Sequence, residues 1–378
     1  MSEAVADLRV PSIRTAATPT RLVTAAAFVA AALFLLPEVF GAFWMQIMFQ
    51  WALYSAVALG LGLLVGRTRM FSLCQIPLLA AGAWMALRVF QDVELPFPLL
   101  LLAAGLLTAL CGVVIGLPAL RLSGLYLALV TLMAAGAITL VLKLVKFPNG
   151  GSGFWGFDKN RPSAAISLPR PSIAVGDIAY YRYTVVVVAL LFLLIAWHIK
   201  GKPGRAWASI RQSQVTAVAA GVHTTLYKLW AFALSAFVTG IAGALLAAGP
   251  GGVSVQQFPV EQSILLLAVV LLGGVYNVWG AIVAAFFMRV LPQILDQKLD
   301  LPPELLTILF GVGVMQVLIV QPRGVVEDLR KLGALVGRRL GLGGRSRGPS
   351  ITAPLAVTTL DDPAGDATAG AATEKATT

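Results

Sequence analysis

The chain alternates long, continuous apolar runs with short polar links. One such run, LLLLAAGLLTALCGVVIGL from Leu99 to Leu117, contains no charged residue. Roughly 20 apolar residues in a helix cross the hydrocarbon core of a bilayer, whereas the alternation in pieces of about ten residues that is typical of an outer-membrane barrel is absent. The pattern therefore predicts an all-α, polytopic inner-membrane bundle of about ten transmembrane helices. The predicted spans are 22–40, 43–66, 73–90, 96–117, 124–146, 179–198, 229–248, 262–276, 278–296 and 303–320.

Composition supports a membrane protein and excludes a soluble domain. The 378 residues are 58% hydrophobic and 12% charged, with a mean hydropathy of +0.85, a balance that no soluble domain of this size keeps in solution. The first apolar run follows a basic leader longer than the positively charged start of a signal peptide, and no clear cleavage site follows it. We therefore predict that this run is a retained span.

The distribution of basic residues predicts how the chain is oriented. The net charge is +11, but the Lys and Arg residues cluster in loops beside spans, so topology explains them without nucleic acid as a partner. Most of them are cytoplasmic if both termini are cytoplasmic, and we predict this orientation. Residues 1–21 then form a cytoplasmic leader and 22–320 the membrane domain, with an external loop at 147–178 and a cytoplasmic loop at 198–228. Residues 321–378 form a cytoplasmic tail, first basic and in contact with membrane lipid, then disordered.

Few residues offer catalytic, metal-binding or nucleotide-binding chemistry. None of the 17 carboxylates falls at the centre of a predicted span, although ion-driven carriers usually keep an ionisable group there. The two cysteines and two histidines lack the spacing of a metal site, so we predict no metal. GSGFWG at 151–156 follows no strand and is interpreted as an external turn. Because no Walker A motif occurs, we predict no cofactor in this chain, and any ATP is hydrolysed by another chain.

Two predicted spans are interrupted by small or polar residues. Ser72, Gln75 and Pro77 stand at the entrance to the short third span, and a second interruption lies between Gly273 and Gly280. Paired, interrupted segments in the two halves of a chain point to a translocation site; the alternative is close helix packing through small residues. The residues predicted to line the path are Ser72, Gln75, Gly273, Gly274 and Asn277.

A polar segment without acidic residues, RAWASIRQSQVTAVAAGVHTTLYKLWAF from Arg205 to Phe232, lies between two apolar runs. A helical wheel gives it a narrow apolar stripe, too weak for a membrane anchor but suited to a groove on another protein. That stripe is formed by Trp207, Ile210, Gln214, Ala217, Val218 and Gly221.

This segment resembles the cytoplasmic coupling segment of ABC-importer permeases of the branched-chain amino acid class, the LivM-like group. Members run G-R-A-x-x-A-I-R, an acid-rich turn, A-A-x-x-x-G and then T-x-Y-K-L-x-A-F. The chain is similar to the group at further places between about residues 43 and 330. These are GLPALRLSGLYLALVTL (116–132), PNGGSGFWGF (148–157), LSAFVTGIAGAL (234–245), LLGGVYNVWGAIVAA (271–285) and QPRGV (321–325).

The resemblance implies a permease subunit, not an enzyme, in the bacterial plasma (inner) membrane. It would work with a second homologous permease, two cytoplasmic ATPases and an external solute-binding protein, and carry a branched-chain amino acid or a related small amphipathic solute. The residues implied to couple it to the ATPases are Arg211, Gln212, Ser213, Gln214, Ala217 and Gly221.

The chain departs from the group in two segments that bear on function. Where members carry acids in the coupling turn, this chain has Gln212, Ser213 and Gln214, so a charge-assisted contact there becomes a neutral hydrogen bond, about half as strong. Pro77 stands where a small or aromatic residue is more common, so the solute need not be a branched-chain amino acid. A proton-coupled secondary transporter and a lipid-modifying membrane enzyme remain the alternatives.

Overall fold

A computed structural model of the chain describes most of the membrane domain. The described residues are 27–34, 41–93, 95–120, 122, 124–145, 168–249, 253–275, 277–299 and a few positions between 305 and 315. The chain divides into two compact units, Met1–Lys331 and Leu332–Thr378, and all of the described residues belong to the first. The predicted leader (1–21) and tail (321–378) lie outside the described residues.

The described part of the chain is helical and contains no strand, which confirms the all-α prediction for these residues. Two helices, α1 and α10, continue into π-helical turns at Leu64–Thr68 and Phe286–Val290. A short helical segment at 27–34 precedes α1. The numbered helices are α1 (Ala42–Leu63), α2 (Gln75–Val93), α3 (Phe97–Ala119), α4 (Leu125–Leu144), α5 (Asp177–Lys200), α6 (Lys202–Gln212), α7 (Gln214–Ala219), α8 (Thr224–Ala247), α9 (Glu261–Gly273), α10 (Val278–Ala285) and α11 (Leu291–Leu299).

Seven stretches of the described residues are helical, long and apolar enough to cross a membrane. Each coincides with a predicted span. They are Phe43–Thr68, Phe97–Ala119, Tyr126–Leu144, Asp177–Lys200, Thr224–Ala247, Val255–Gly273 and Val278–Gln297. The predicted spans 22–40 and 303–320 fall largely outside the described residues, so the total of about ten remains a prediction.

The predicted third span, 73–90, forms helix α2, which is not among the seven apolar helices. Its sequence carries four strongly polar residues, which lower its mean hydropathy: Gln75, Arg88, Gln91 and Asp92. In the structure α2 is packed inside the bundle, and Ile76, Leu78 and Leu79 are completely buried. Neighbouring helices therefore shield this segment from surrounding lipid.

Helix α8 is at the centre of the described bundle and packs against α1, α2 and α3. Small residues let these backbones approach closely. A Cβ atom on Gly82 of α2 would lie 2.6 Å from the Cα atom of Gly240 on α8, and one on Gly243 would meet the backbone at Leu79 and Ala83. Such contacts through small residues are typical of helix packing in membranes.

Candidate functional site

The chain reaches α2 through a largely buried link without regular secondary structure. The π-helical turn Leu64–Thr68 ends at Arg69, which has a left-handed backbone (φ 55°). The residues that follow, up to Cys74, are not helical, and the backbone N–H of Leu73 donates to Thr131 Oγ1 at 3.0 Å. Helix α2 then begins at Gln75. The link from 69 to 74 therefore lies among the helices.

Gln75 is bonded at both ends of its side-chain amide. Its Nε2 donates to Ser235 Oγ at 2.9 Å, and its Oε1 accepts from Thr239 Oγ1 at 2.8 Å. Ser235 lies at the middle of α8, so α2 begins about half-way through the depth of that span. Six residues of extended chain can cover up to about 20 Å, enough to bring the link from the end of one span to this depth. The third crossing thus begins with a non-helical link and continues as helix α2.

Ser72 is also enclosed in the bundle. It is completely buried, and its hydroxyl lies 3.2 Å from Cys74 Sγ in hydrogen-bonding geometry. Gln75 is 1% exposed. Both residues predicted to line a path in this half of the chain are therefore occupied by contacts within the protein in this conformation.

The second interruption lies between α9 and α10. Gly274 has a positive φ of 101°, which favours glycine there. The side chain of Asn277 caps α10 by accepting from the N–H of Trp279 at 3.5 Å. Gly273 packs against the backbone of Gly280 and the side chain of Ala284, and a Cβ atom on Gly273 would collide with Gly280. Gly273 is therefore used for close helix packing.

Gly274 and Asn277 line a narrow cavity of about 20 Å³ together with Arg67 and residues of α1, α5, α9 and α10. A volume of that size holds about one water molecule. Ser72 and Gln75 do not line it; Ser72 contacts Cys74, and Gln75 contacts α8. The structure therefore places the five predicted path residues in two separate surroundings, and their role in transport remains a prediction.

The segment predicted to couple to an ATPase forms two short helices, α6 and α7, that meet at Ser213. The Ser213 hydroxyl caps α7 by accepting from the N–H of Thr216 at 3.3 Å. At the other end, the N–H of Val222 donates to the Ala217 carbonyl and that of Gly221 to the Val218 carbonyl, both at 2.9 Å. This is a Schellman motif, and Gly221 supplies its left-handed residue with φ 78°.

Half of the predicted apolar stripe faces the membrane helices. Trp207 is completely buried and its Nε1 donates to the Tyr227 carbonyl at 2.8 Å. Ile210 and Ala217 are also buried. The interpretation of the stripe as a partner-facing surface is therefore wrong for these three residues, because their own chain covers them. The other three residues of the stripe, Gln214, Val218 and Gly221, are exposed. So are their neighbours Gln212, Val215 and Thr216, with Val215 81% exposed.

The turn between α6 and α7 lines a larger cavity of about 160 Å³. The predicted coupling residues in its lining are Arg211, Gln212, Ser213 and Gln214. Thr68, Arg69 and Met70 also line it, as does Lys228 of α8. Helix α6 packs directly on the π-helical turn as well. The coupling turn is thus adjacent to the beginning of the link that leads to α2.

Sequence reasoning missed a charged residue inside a span. Arg289 lies near the middle of Val278–Gln297, and its guanidinium contacts Tyr54, which lies near the middle of Phe43–Thr68. The guanidinium carbon is 3.8 Å from the centroid of the Tyr54 ring, and Nη2 donates to the tyrosine hydroxyl. A search restricted to carboxylates at span centres does not find this arginine. The lone arginine in FFMRVLP (286–292) was the available signal.

Among the described residues, no group of three or more His, Cys, Asp and Glu side chains could hold a metal ion. The cysteines of this part, Cys74 and Cys111, are free thiols. The described geometry consists of a multi-pass helical bundle, a discontinuous crossing and a capped pair of short helices beside it. Those are the features of a membrane transport subunit.

Comparison with known proteins gives the family. Residues 43–318 match the family described as branched-chain amino acid transport system / permease component, and the chain belongs to that family. The high-affinity branched-chain amino acid transport system permease proteins LivM of Salmonella typhimurium and Escherichia coli are each 29% identical to it over 295 residues, which cover 74% of this chain and 68% of each relative. No solved structure matches the chain. The chain is a permease subunit of the ABC-transporter type and not an enzyme.

Proposed function

We propose that this chain carries a branched-chain amino acid, or a related small amphipathic solute, into a bacterial cell across the inner membrane. Its relatives are named as branched-chain amino acid permeases. In this proposal a second homologous permease completes the path, an external solute-binding protein delivers the solute, and two cytoplasmic ATPases supply the energy. The turn between α6 and α7 receives the movement of the ATPases.

One observation carries the coupling part of the proposal. The α6–α7 turn and the start of the link to α2 line the same cavity. A displacement of the turn is therefore passed to residues 68–70 and along the link to Gln75 at half depth. Because Trp207 and Ala217 are buried against the bundle, the two helices move with it as a rigid body. ATP binding by the cytoplasmic ATPases can thus change contacts in the middle of the membrane domain.

The turn itself would meet the ATPase through neutral groups. Gln212 and Gln214 are exposed, and no Asp or Glu occurs from Ile178 to Val260. Their amides donate and accept hydrogen bonds, and the exposed Val215 and Val218 add apolar contact. We infer that the ATPase surface offers polar, uncharged partners and an apolar pocket to this turn.

A charge placed on the turn tests the proposal. The complete transporter, with its ATPases, second permease and binding protein, is reconstituted in proteoliposomes, and ATP-driven uptake of leucine is measured. Gln214→Arg should reduce uptake at least about tenfold, because burying an unpaired charge in a partner contact costs more than a neutral hydrogen bond contributes. Unfolding of the purified variant should be unchanged, since Gln214 is exposed.

Gln256→Arg is the matched control, because Gln256 is an exposed glutamine in the short turn Val255–Gln257, away from α6 and α7. It should transport normally. The chain reconstituted alone should not accumulate leucine, even with a proton gradient. Normal uptake by Gln214→Arg would contradict the coupling role of the turn, and accumulation by the lone chain would indicate a secondary transporter.

A further inference from the structure

A positive charge lies at an unusual depth in this protein. Arg289 is the Lys or Arg residue farthest from a span end in the seven described spans. Ionisable side chains inside a membrane are costly, face a protein interior or a polar path, and mark the passage of ions or solutes. Arg289 therefore requires a partner that compensates its charge.

The described residues provide only part of that compensation. Tyr54 accepts one hydrogen bond from Nη2, and its ring lies against the guanidinium. Tyrosine is neutral, so it offers a dipole and a π face and no opposing charge. Nε is buried and has no acceptor in the described part of the chain. Within the described residues, no carboxylate forms an ion pair with Arg289.

The surroundings of Arg289 are aromatic. It lies in the π-helical turn Phe286–Val290, a geometry that is rare and occurs frequently at functional sites. Trp51 packs on Phe286 with ring centroids 6.0 Å apart, and its Nε1 donates to the Ile282 carbonyl at 2.9 Å. These contacts hold α1 and α10 together one turn away from the guanidinium.

The side chain of Arg289 is nevertheless accessible. Arg289 is partly exposed in this chain alone, as are Phe286 and Phe287. A ligand that reaches this place meets aromatic surface and a guanidinium with donors to spare. That combination suits a small molecule with an apolar body and one carboxylate, which a guanidinium binds with charge-assisted hydrogen bonds.

We propose that Arg289, held in place by Tyr54, binds the carboxylate of the solute near the middle of the membrane. The inference rests on the proposed function and adds to it the chemical group of the solute that the path recognises. A neutral solute of the same shape lacks the group that pairs with the arginine. The preferred class is therefore small carboxylates with an apolar or branched side chain.

Binding is tested first without transport. The complete transporter in detergent is heated with isovalerate or with isovaleramide, which has the same shape but no charge, at equal ionic strength. Isovalerate should raise the midpoint of unfolding by about 2 °C or more at saturation, and isovaleramide should have little effect. The isovalerate effect should persist in Arg289→Lys, which keeps the charge, and disappear in Arg289→Gln.

Arg182→Gln is the control for general loss of charge. Arg182 is also an arginine of a span, but it lies near the end of α5, where its Nε donates to the Leu33 carbonyl at 3.2 Å. Isovalerate should raise the unfolding midpoint of the Arg182→Gln variant as much as that of the unchanged protein. Equal shifts with isovalerate and isovaleramide in the unchanged protein would overturn the proposal, and this comparison remains decisive if Arg289→Gln does not fold.

Transport gives the second readout. ATP-driven uptake of leucine should fall at least about tenfold in Arg289→Gln, remain partly in Arg289→Lys and be unchanged in Arg182→Gln. Uptake by Arg289→Gln equal to that of the unchanged protein would also overturn the proposal. If the unchanged transporter takes up neither leucine nor another branched-chain amino acid, that part of the proposed function fails, whereas an isovalerate effect that depends on Arg289 still supports the carboxylate site.

Discussion

Gln75 shows how a single buried amide can set the position of a whole helix. Both ends of its side chain are bonded to hydroxyl groups of α8, so the first residue of α2 is fixed at one depth of the bundle. The sequence predicted an interruption here from Ser72, Gln75 and Pro77. It could not show which helix the amide would meet, because Ser235 and Thr239 lie some 160 residues further along the chain.

Replacing Gln75 by leucine should destabilise the protein. The side chain keeps about the same volume but leaves Thr239 without its acceptor in a buried position, which costs about 1–3 kcal/mol. Thermal unfolding of the purified full chain in detergent measures the change. Gln46→Leu, an exposed glutamine on α1, should leave the unfolding midpoint nearly unchanged. Equal midpoints for Gln75→Leu and the unchanged protein would show that the two hydrogen bonds contribute little.

For Arg289, the sequence shows where the residue lies but not which residue it contacts. Its position in an apolar run is visible in the sequence, but its contact with Tyr54 joins residues separated by 235 positions. A search for acidic residues at span centres overlooks it because arginine is basic, although any ionisable residue inside a span is a candidate functional residue.

At the scale of elements, the pair α6 and α7 differs from the single amphipathic helix predicted from the wheel. A wheel drawn across Ser213 assumes a continuous helix, whereas Ser213 is extended (φ −156°, ψ 127°) and starts a new one. Of the predicted stripe, Gln214, Val218 and Gly221 are exposed, whereas Trp207, Ile210 and Ala217 are buried. What the sequence could not show was that the surface covering them belongs to the same chain, since Trp207 is anchored to the Tyr227 carbonyl.

Gly221→Ala should weaken the end of α7. A residue with a Cβ atom is strained at φ 78°, so we expect a loss of about 1 kcal/mol in the local stability of the Schellman motif. Hydrogen exchange at the amides of Gly221 and Val222, which donate to α7 carbonyls, measures it directly and should become faster.

Gly176→Ala is the matched control for this exchange experiment. Gly176 precedes α5 with φ −77°, and a Cβ atom there meets nothing within 4 Å. In the Gly176→Ala variant, hydrogen exchange at the amides of Gly221 and Val222 should equal that of the unchanged protein. Unchanged exchange in Gly221→Ala would mean that the backbone relaxes without cost.

At the scale of the whole molecule, apolar length predicted the spans well. The seven described apolar helices each coincide with a predicted span, because the thickness of the hydrocarbon core imposes a minimum length that is visible in any sequence. Helix α2 was predicted as a short span interrupted at its entrance, and in the structure a non-helical link precedes it. Non-helical backbone inside a membrane is tolerated where protein surrounds it, and one sequence does not show which segments will be surrounded.

The predicted orientation can be tested by labelling from each side of the membrane. In a background with Cys74→Ser and Cys111→Ser, we expect Gln214→Cys to react with a membrane-impermeant maleimide only from the cytoplasmic side. Ile173→Cys, at a position 88% exposed before α5, should react only from outside. Labelling of both positions from the same side would contradict cytoplasmic termini with a full crossing by α5.

The beginning of α2 at half depth has an electrostatic consequence for the resting protein. The first N–H groups of a helix point away from its body, and together they carry about half a positive charge. In the middle of a membrane, where the dielectric constant is low, that partial charge repels sodium, potassium and protons more strongly than it would in water. We therefore expect the idle subunit to be impermeable to inorganic cations. A cell can then keep many copies of the subunit in its membrane without dissipating its membrane potential.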